Sequence, residues 1–354
     1  MKQILFAALM TLAPAFLHAA APTAATIEQY ALQALPDCAS RTLKVRPATG
    51  VPPAGFVTWE AVQTGPDPQC ATRTFVIVST QTDQTIVGDI FPLPDDARPL
   101  ERRVEELSTR ILKTPVTATV RREIIPDGLK SVIISKQTRL GPFSYQAYVD
   151  RDARFMIVGT RGNLKSAPGP NVLDGLGIKS AATRGAKKAK VQIVEISDLQ
   201  CPTCKQAHEA LEPIVIKNLS AISFSRIDLP LFESHDWALN AALAARAIQK
   251  VAPAHYWNYV DFIFENQETI KATTIDGLIK DFTSDRDIDW KKIEPLYRST
   301  TERQALLDQV GRAFDRGIFS TPTFFVNGRR ISYGVNGANL LQTVKAALAK
   351  PKKQ

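Results

Sequence analysis

The chain has 354 residues, of which 44% are hydrophobic and 22% charged, with four cysteines and a formal net charge of +9. A length of this order points to two domains, and the composition excludes collagen, a coiled coil and wholesale disorder. The basic excess is spread over small clusters at 187–188, 329–330 and 352–353 with no recognition motif beside them, so a solvated surface is expected and a nucleic-acid partner is not.

Residues 1–21 read as a secretory signal. Lys2 supplies the positive start, residues 4–17 form an apolar stretch too short to span a bilayer, and Ala19 and Ala21 mark one cleavage site. The expected location after cleavage is periplasmic or otherwise extracytoplasmic. In an oxidising compartment cysteines tend to pair. Of the three possible pairings, proximity favours Cys38 with Cys70 and Cys201 with Cys204. The first pair is expected to be a structural disulfide, closing a loop worth about 3–4 kcal/mol by the chain-entropy argument.

A short helix over 27–35 is followed by strand-like runs at 56–62, 74–79 and 85–91. Apolar residues at 100, 104, 107, 111 and 112 have the spacing of one helical face. Further strands are expected at 116–122, 131–136, 144–149 and 154–159. Residues 22–168 thus read as an α+β domain built on an antiparallel sheet. No site chemistry stands out in it: past the signal it holds no histidine and no glycine-rich phosphate loop. The Pro/Gly-rich stretch at 166–171 and the basic stretch at 183–190 place a linker at 169–188.

The second domain, 189–350, opens with a strand at 191–196, and Cys201-Pro202-Thr203-Cys204 begins a helix. A strand at 222–228 precedes a long helical region. A strand pair around the Asn327-Gly328 turn and an amphipathic helix at 338–350 end the chain. The pattern is that of an α/β domain with a mixed sheet.

Two cysteines this close can bind metal, staple a loop or exchange electrons. Zinc needs four donors, and only His208 lies nearby. A bridge across two residues restricts the unfolded chain very little. Redox exchange fits best. Cys201 at a helix N-terminus has its thiolate favoured by free N–H groups and the helix dipole, and Pro202 suits the first turn. Such a thiolate attacks and leaves well, with Cys204 as the buried resolving thiol. Glu195, six residues before Cys201 in an apolar strand, is expected to be buried. Burial would raise its pKa into a range where it can exchange protons with Cys204. The plainer reading is a strand-end glutamate paired with a lysine. His208 reads as a surface or helix-packing histidine, and Tyr256, Trp257, Tyr259 and Phe262 as core.

The segments "VEISDLQCPTC" and "IFSTPTFFVNG" resemble the thioredoxin superfamily, and within it the DsbA-like branch of extracytoplasmic thiol–disulfide oxidoreductases. The resemblance covers about 187–350 and includes a helical insert at 235–315. It implies a thioredoxin-like fold with helical insertion and no cofactor. Cys201 would be the nucleophile and Cys204 the resolving cysteine. Pro322 would be cis, leaving the Thr321 backbone free to bind an extended substrate peptide. The implied partners are unfolded or partly folded cysteine-containing proteins and a membrane redox partner that recycles the cysteines. Pro-Thr between the cysteines, without the imidazolium of Pro-His, suggests a centre less oxidising than the strongest oxidants. A DsbC/DsbG-like isomerase or reductase dimerised by the N-terminal domain is an alternative; the oligomeric state is open. From another class, a non-catalytic holdase or a copper-handling protein is considered. Copper is disfavoured because the chain has three methionines, two of them within its first ten residues.

Overall fold

The computed structural model describes residues 22–65, 70–123, 125–138, 140–166 and 172–350; the signal reading at 1–21 lies outside them. Helix α1 (Ala24–Ala34) starts where the Thr23 hydroxyl accepts from the Thr26 N–H at 3.2 Å, and it buries Ile27, Tyr30 and Ala31. Then come β1 (Thr42–Pro47), β2 (Phe56–Thr64), β3 (Thr72–Ser79), β4 (Gln84–Pro92), α2 (Leu100–Leu112), β5 (Thr117–Val120), β6 (Lys130–Thr138), β7 (Gly141–Val149) and β8 (Phe155–Asn163). The strands form one eight-stranded sheet in the order β1-β2-β3-β4-β8-β7-β6-β5, antiparallel throughout.

Three particulars explain this sheet. Strand β1 is not evident in the sequence because it is an edge strand carrying Lys44, Arg46 and Pro47, residues that keep an edge from pairing further. Gly88 and Gly159 face each other across β4 and β8. A Cβ on either would come within 2.1 or 2.4 Å of the opposite backbone, so the sheet's central pair closes only with glycine in both places. Cys38 and Cys70 form a disulfide that ties the segment after α1 to the start of β3.

The second sheet contains β9 (Ala182–Gly185), β10 (Val191–Ser197), β11 (Ile222–Asp228), β12 (Thr323–Val326) and β13 (Arg329–Ile331), in the order β13-β12-β10-β11-β9. Only β10 and β11 run parallel; the other pairs are antiparallel. Helix α3 (Pro202–Lys217) joins β10 to β11. Five helices fill the stretch between β11 and β12: α4 (Ala238–Val251), α5 (Tyr256–Asn266), α6 (Ile275–Ser284), α7 (Trp290–Tyr297) and α8 (Thr300–Phe314). Helix α9 (Ala338–Ala349) closes the domain. The C-terminal half is thus a thioredoxin-like sheet with a helical insertion, preceded by an antiparallel α+β domain.

The stretch 169–188, read as a linker, carries β9, which pairs with β11. A four-residue edge strand, Ala-Thr-Arg-Gly, has no hydrophobic run to announce it. Helix α7 also went unseen, being eight residues long with Pro295 inside. In α4, Ala241, Ala242, Ala244, Ala245 and Ala247 are all buried, and the helix packs closely on α7. Tyr256 and Tyr259 are buried, with Trp257 and Phe262 packed against the cores. Among the described residues, no helix is long and apolar enough to cross a membrane.

The two sheets meet at two places. Helix α8 lies on β7 so closely that a Cβ at Gly311 would sit 2.2 Å from the Ser144 carbonyl oxygen. There the Phe143 ring packs edge-on against Phe232 and Phe314, and the Gln146 N–H donates to Asp315 Oδ1 at 2.5 Å. At the other place Asp37 adds a bridge to the edge strand β13: its N–H donates to Arg330 O at 2.9 Å, and Ser332 N–H donates to its carbonyl at 3.0 Å.

Candidate active site

Strand β10 is buried except at Gln192 and delivers Glu195 into the core. The register sets Glu195 beside Arg226 of β11 and Phe324 of β12. The chain then turns through Asp198 to Cys201, the N-cap of α3, with Pro202 in the first turn, where its missing N–H costs nothing. Cys201 carbonyl accepts from the Cys204 and Lys205 N–H groups at 3.0 and 3.2 Å. Gln267 of the segment after α5 donates to the Leu199 and Cys201 carbonyls at 2.9 and 3.2 Å, fixing the turn from outside.

Both cysteines are buried and not bonded to each other in this structure, Cys204 completely enclosed. The Thr321–Pro322 peptide bond is cis, and Cys201 Sγ lies 3.5 Å from the Thr321 carbonyl oxygen. Cys201, Cys204, Thr321 and Pro322 therefore converge, with Glu195 underneath; Cys38 and Cys70 belong to the other sheet. The hydrogen bond from the Cys204 thiol brings the Cys201 pKa down to about 6, against the opposing effect of partial burial. Burial pushes Cys204 well above the ordinary thiol value, and its place beside Cys201 adds to that. The sequence argument rested on the helix N-terminus; in the structure the neighbouring thiol has the largest effect.

Glu195 is fully buried, and neither of its carboxylate oxygens has a hydrogen-bond partner. Burial raises its pKa, partly offset by Arg226, His208, the nearby Ser197 hydroxyl and Arg184. Its charged neighbours are thus arginines and a histidine; among the described residues it forms no ion pair with a lysine. His208 is not at the surface. It is buried on α3 against the Phe264 ring, with Nε2 2.7 Å from Asp261 Oδ1. His208, Glu212 and Asp261 lie close enough to share an ion, but Arg184 already pairs with Glu212 and supplies the positive charge.

Sequence reasoning assigned nothing to Asp198, His235 or Gln267. Asp198 is buried and accepts from Gln200 N–H and Leu231 N–H, both at 2.7 Å, while its own N–H donates to Cys204 Sγ at 3.5 Å. His235 Nδ1 is 2.7 Å from Asp198 Oδ2, which chiefly raises the His235 pKa; the Cys201 charge contributes in the same direction. A histidine whose charged form is favoured by Asp198 therefore acts on Cys201 from the loop after β11 rather than from the dipeptide between the cysteines. Only the acidic residue in "SDLQC" hinted at it, because the partner lies 37 positions away.

Residues 179–346 match the family model described as thioredoxin. Disulfide bond formation protein D of Bacillus subtilis is 26% identical over 52% of this chain and 86% of its own length. The Na(+)/H(+) antiporter NhaA 3 of Salinispora tropica is 28% identical over 47% of this chain, which spans 24% of that protein. Among solved structures, oxidised BdbD from Bacillus subtilis is 26% identical, covering 49% of this chain and 96% of that one, with a TM-score of 0.40. The MdbA thiol-disulfide oxidoreductase of Corynebacterium diphtheriae is 20% identical over 48% and 89%, also with a TM-score of 0.40. These matches fall on about half of the chain. The C-terminal half is thus a thioredoxin-like domain, similar to disulfide bond formation protein D, with an additional domain before it.

Proposed function

We propose that the chain is an extracytoplasmic dithiol–disulfide oxidoreductase whose substrates are unfolded or partly folded cysteine-containing proteins. The observation that carries this is the split pair: a thiol at the helix N-terminus, 3.5 Å from the Thr321 carbonyl oxygen, held down to about 6 beside a completely buried thiol pushed up. In the oxidising direction a substrate thiolate attacks Cys201 of the Cys201–Cys204 disulfide. Cys204 leaves as a thiolate and takes a proton from Glu195, whose raised pKa keeps that proton available. A second substrate thiolate then attacks the substrate sulfur of the mixed disulfide, and Cys201 departs as its stabilised thiolate. Stabilising that thiolate favours the reduced enzyme, which favours oxidation of the substrate.

The Thr321 backbone beside Pro322 binds the substrate as an added extended strand. Phe319, 57% exposed two residues earlier, offers it an apolar contact. The Cys38–Cys70 disulfide fits an oxidising compartment, and a membrane redox partner restores the Cys201–Cys204 disulfide. The test uses the oxidised full-length protein and a reduced, unstructured two-cysteine peptide. Conversion of the peptide to its disulfide is expected; the disulfide form of the same peptide, mixed with the reduced variants, should leave a mixed disulfide trapped on Cys201 in Cys204→Ala and none in Cys201→Ala. A peptide left reduced would refute the reading.

A further inference from the structure

We propose that His208 and Asp261 connect Glu195 to solvent, forming a Glu195–His208–Asp261 relay through which the Cys204 proton leaves and returns. This rests on the reading of Glu195 as the proton partner of Cys204. A carboxyl group enclosed in the core can serve repeated turnovers only if its proton reaches water. The sulfur face of the site offers no obvious route, since Cys204 and Glu195 are each 0% exposed.

His208 lies four residues after Cys204, so the two share one face of α3. Its Nε2 is bonded to Asp261, whose side chain is 36% exposed and therefore in contact with water. Its other nitrogen, Nδ1, is buried without a hydrogen-bond partner, as are both oxygens of Glu195. His208 is also among the charges that act on Glu195. Unsatisfied buried groups are rare; these two are not hydrogen-bonded to each other, so the proton-exchange path between them runs across one ordered water.

The other charged groups around His208 do not carry a proton. Arg184 of β9 pairs with Glu212 of α3, and Arg226 of β11 pairs with Asp228. Guanidinium groups do not deprotonate in proteins, and Glu212 is neutralised by its partner. Imidazole accepts at one nitrogen while donating from the other. During reduction of a mixed disulfide, Cys204 gives its proton to Glu195 and attacks the Cys201 sulfur. The Cys201–Cys204 bond forms, and the substrate leaves as a thiolate that takes a proton from solvent. Glu195 passes its proton across the bridging water to His208 Nδ1, and the Nε2 proton goes through Asp261 to solvent. The opposite direction reverses each transfer. His208 and Asp261 act through Glu195 and touch neither sulfur.

The experiment mixes reduced full-length protein with oxidised glutathione and follows, by acid quench and mass spectrometry, first the Cys201–glutathione adduct and then its resolution by Cys204. In His208→Gln and Asp261→Asn, adduct formation should stay within about twofold of wild type, and resolution should slow about tenfold, less than the roughly 10²–10⁴-fold of a direct general acid or base because both residues act through Glu195. In Asp261→Asn the lost rate should return as imidazole is added, whereas wild type should not respond. Resolution at the wild-type rate in either folded variant overturns the relay. So does a slowing that imidazole leaves unchanged, which is the signature of a packing defect. If the wild-type protein forms no adduct, it is the oxidoreductase reading itself that fails.

Discussion

At the scale of single residues, the site works by separating two chemically identical thiols. Cys201 caps a helix and accepts a hydrogen bond from Cys204, while Cys204 is sealed in the core. Thiolate absorbance of the reduced protein should therefore rise with a midpoint about 6, and Cys204→Ala should move that midpoint upward. The same shift sets a pH dependence of stability. The folded pKa lies below the roughly 8.5 of a free thiol, so Cys201 ionisation stabilises the reduced fold at high pH, and this is lost as pH falls through about 6. The oxidised protein has no such group. Urea midpoints should shift in favour of the reduced form between pH 5 and pH 8, and parallel curves for the two forms would disprove it. Glu195 shows the opposite balance, function against stability. Replacing this unsatisfied buried carboxyl in Glu195→Leu should stabilise the fold by about 1–3 kcal/mol in denaturant titration while slowing disulfide exchange.

At the scale of elements, helices and strands with strong periodicity were legible, and so was the convergence of the cysteine turn with the Thr321–Pro322 loop. The buried strand β10 followed from its unbroken apolar run, and α2 from its spacing. What escaped had no local signal. Strands β1 and β9 are polar edges that exist because a neighbour offers free hydrogen bonds, and α7 is too short for its period to show. Asp198 and His235 become partners only once β10 and β11 lie side by side, which no local pattern encodes. The seat of α8 on β7 is similar: it depends on Gly311 lacking a side chain. Gly311→Ala should push the helix off the strand, costing about 1–3 kcal/mol and exposing the junction to limited proteolysis. Asp315, held up to about 6 by burial at the same junction, loses its stabilising effect as pH rises from about 4 through 6. Asp315→Asn keeps an acceptor for Gln146 and should flatten the unfolding midpoint across that range.

At the scale of the whole molecule, the antiparallel domain holds the redox domain from two sides, through Phe143 and Gly311 at one end and Asp37 on β13 at the other. Its disulfide is an anchor rather than a second redox centre in this account. Cys38→Ser with Cys70→Ser should lower stability by about 3–4 kcal/mol by the chain-entropy estimate, and leave disulfide exchange at Cys201 unchanged. The central claim is that Cys201 and Cys204 form a reversible two-electron couple that draws electrons from proteins. Equilibrium titration of the full-length protein against glutathione, read by alkylation and mass spectrometry, tests it most directly. A single transition at Cys201–Cys204, absent in Cys201→Ala, is expected at a potential between about −270 mV for thioredoxin and about −120 mV for DsbA. No reversible transition, or one at thioredoxin's own potential, would contradict it.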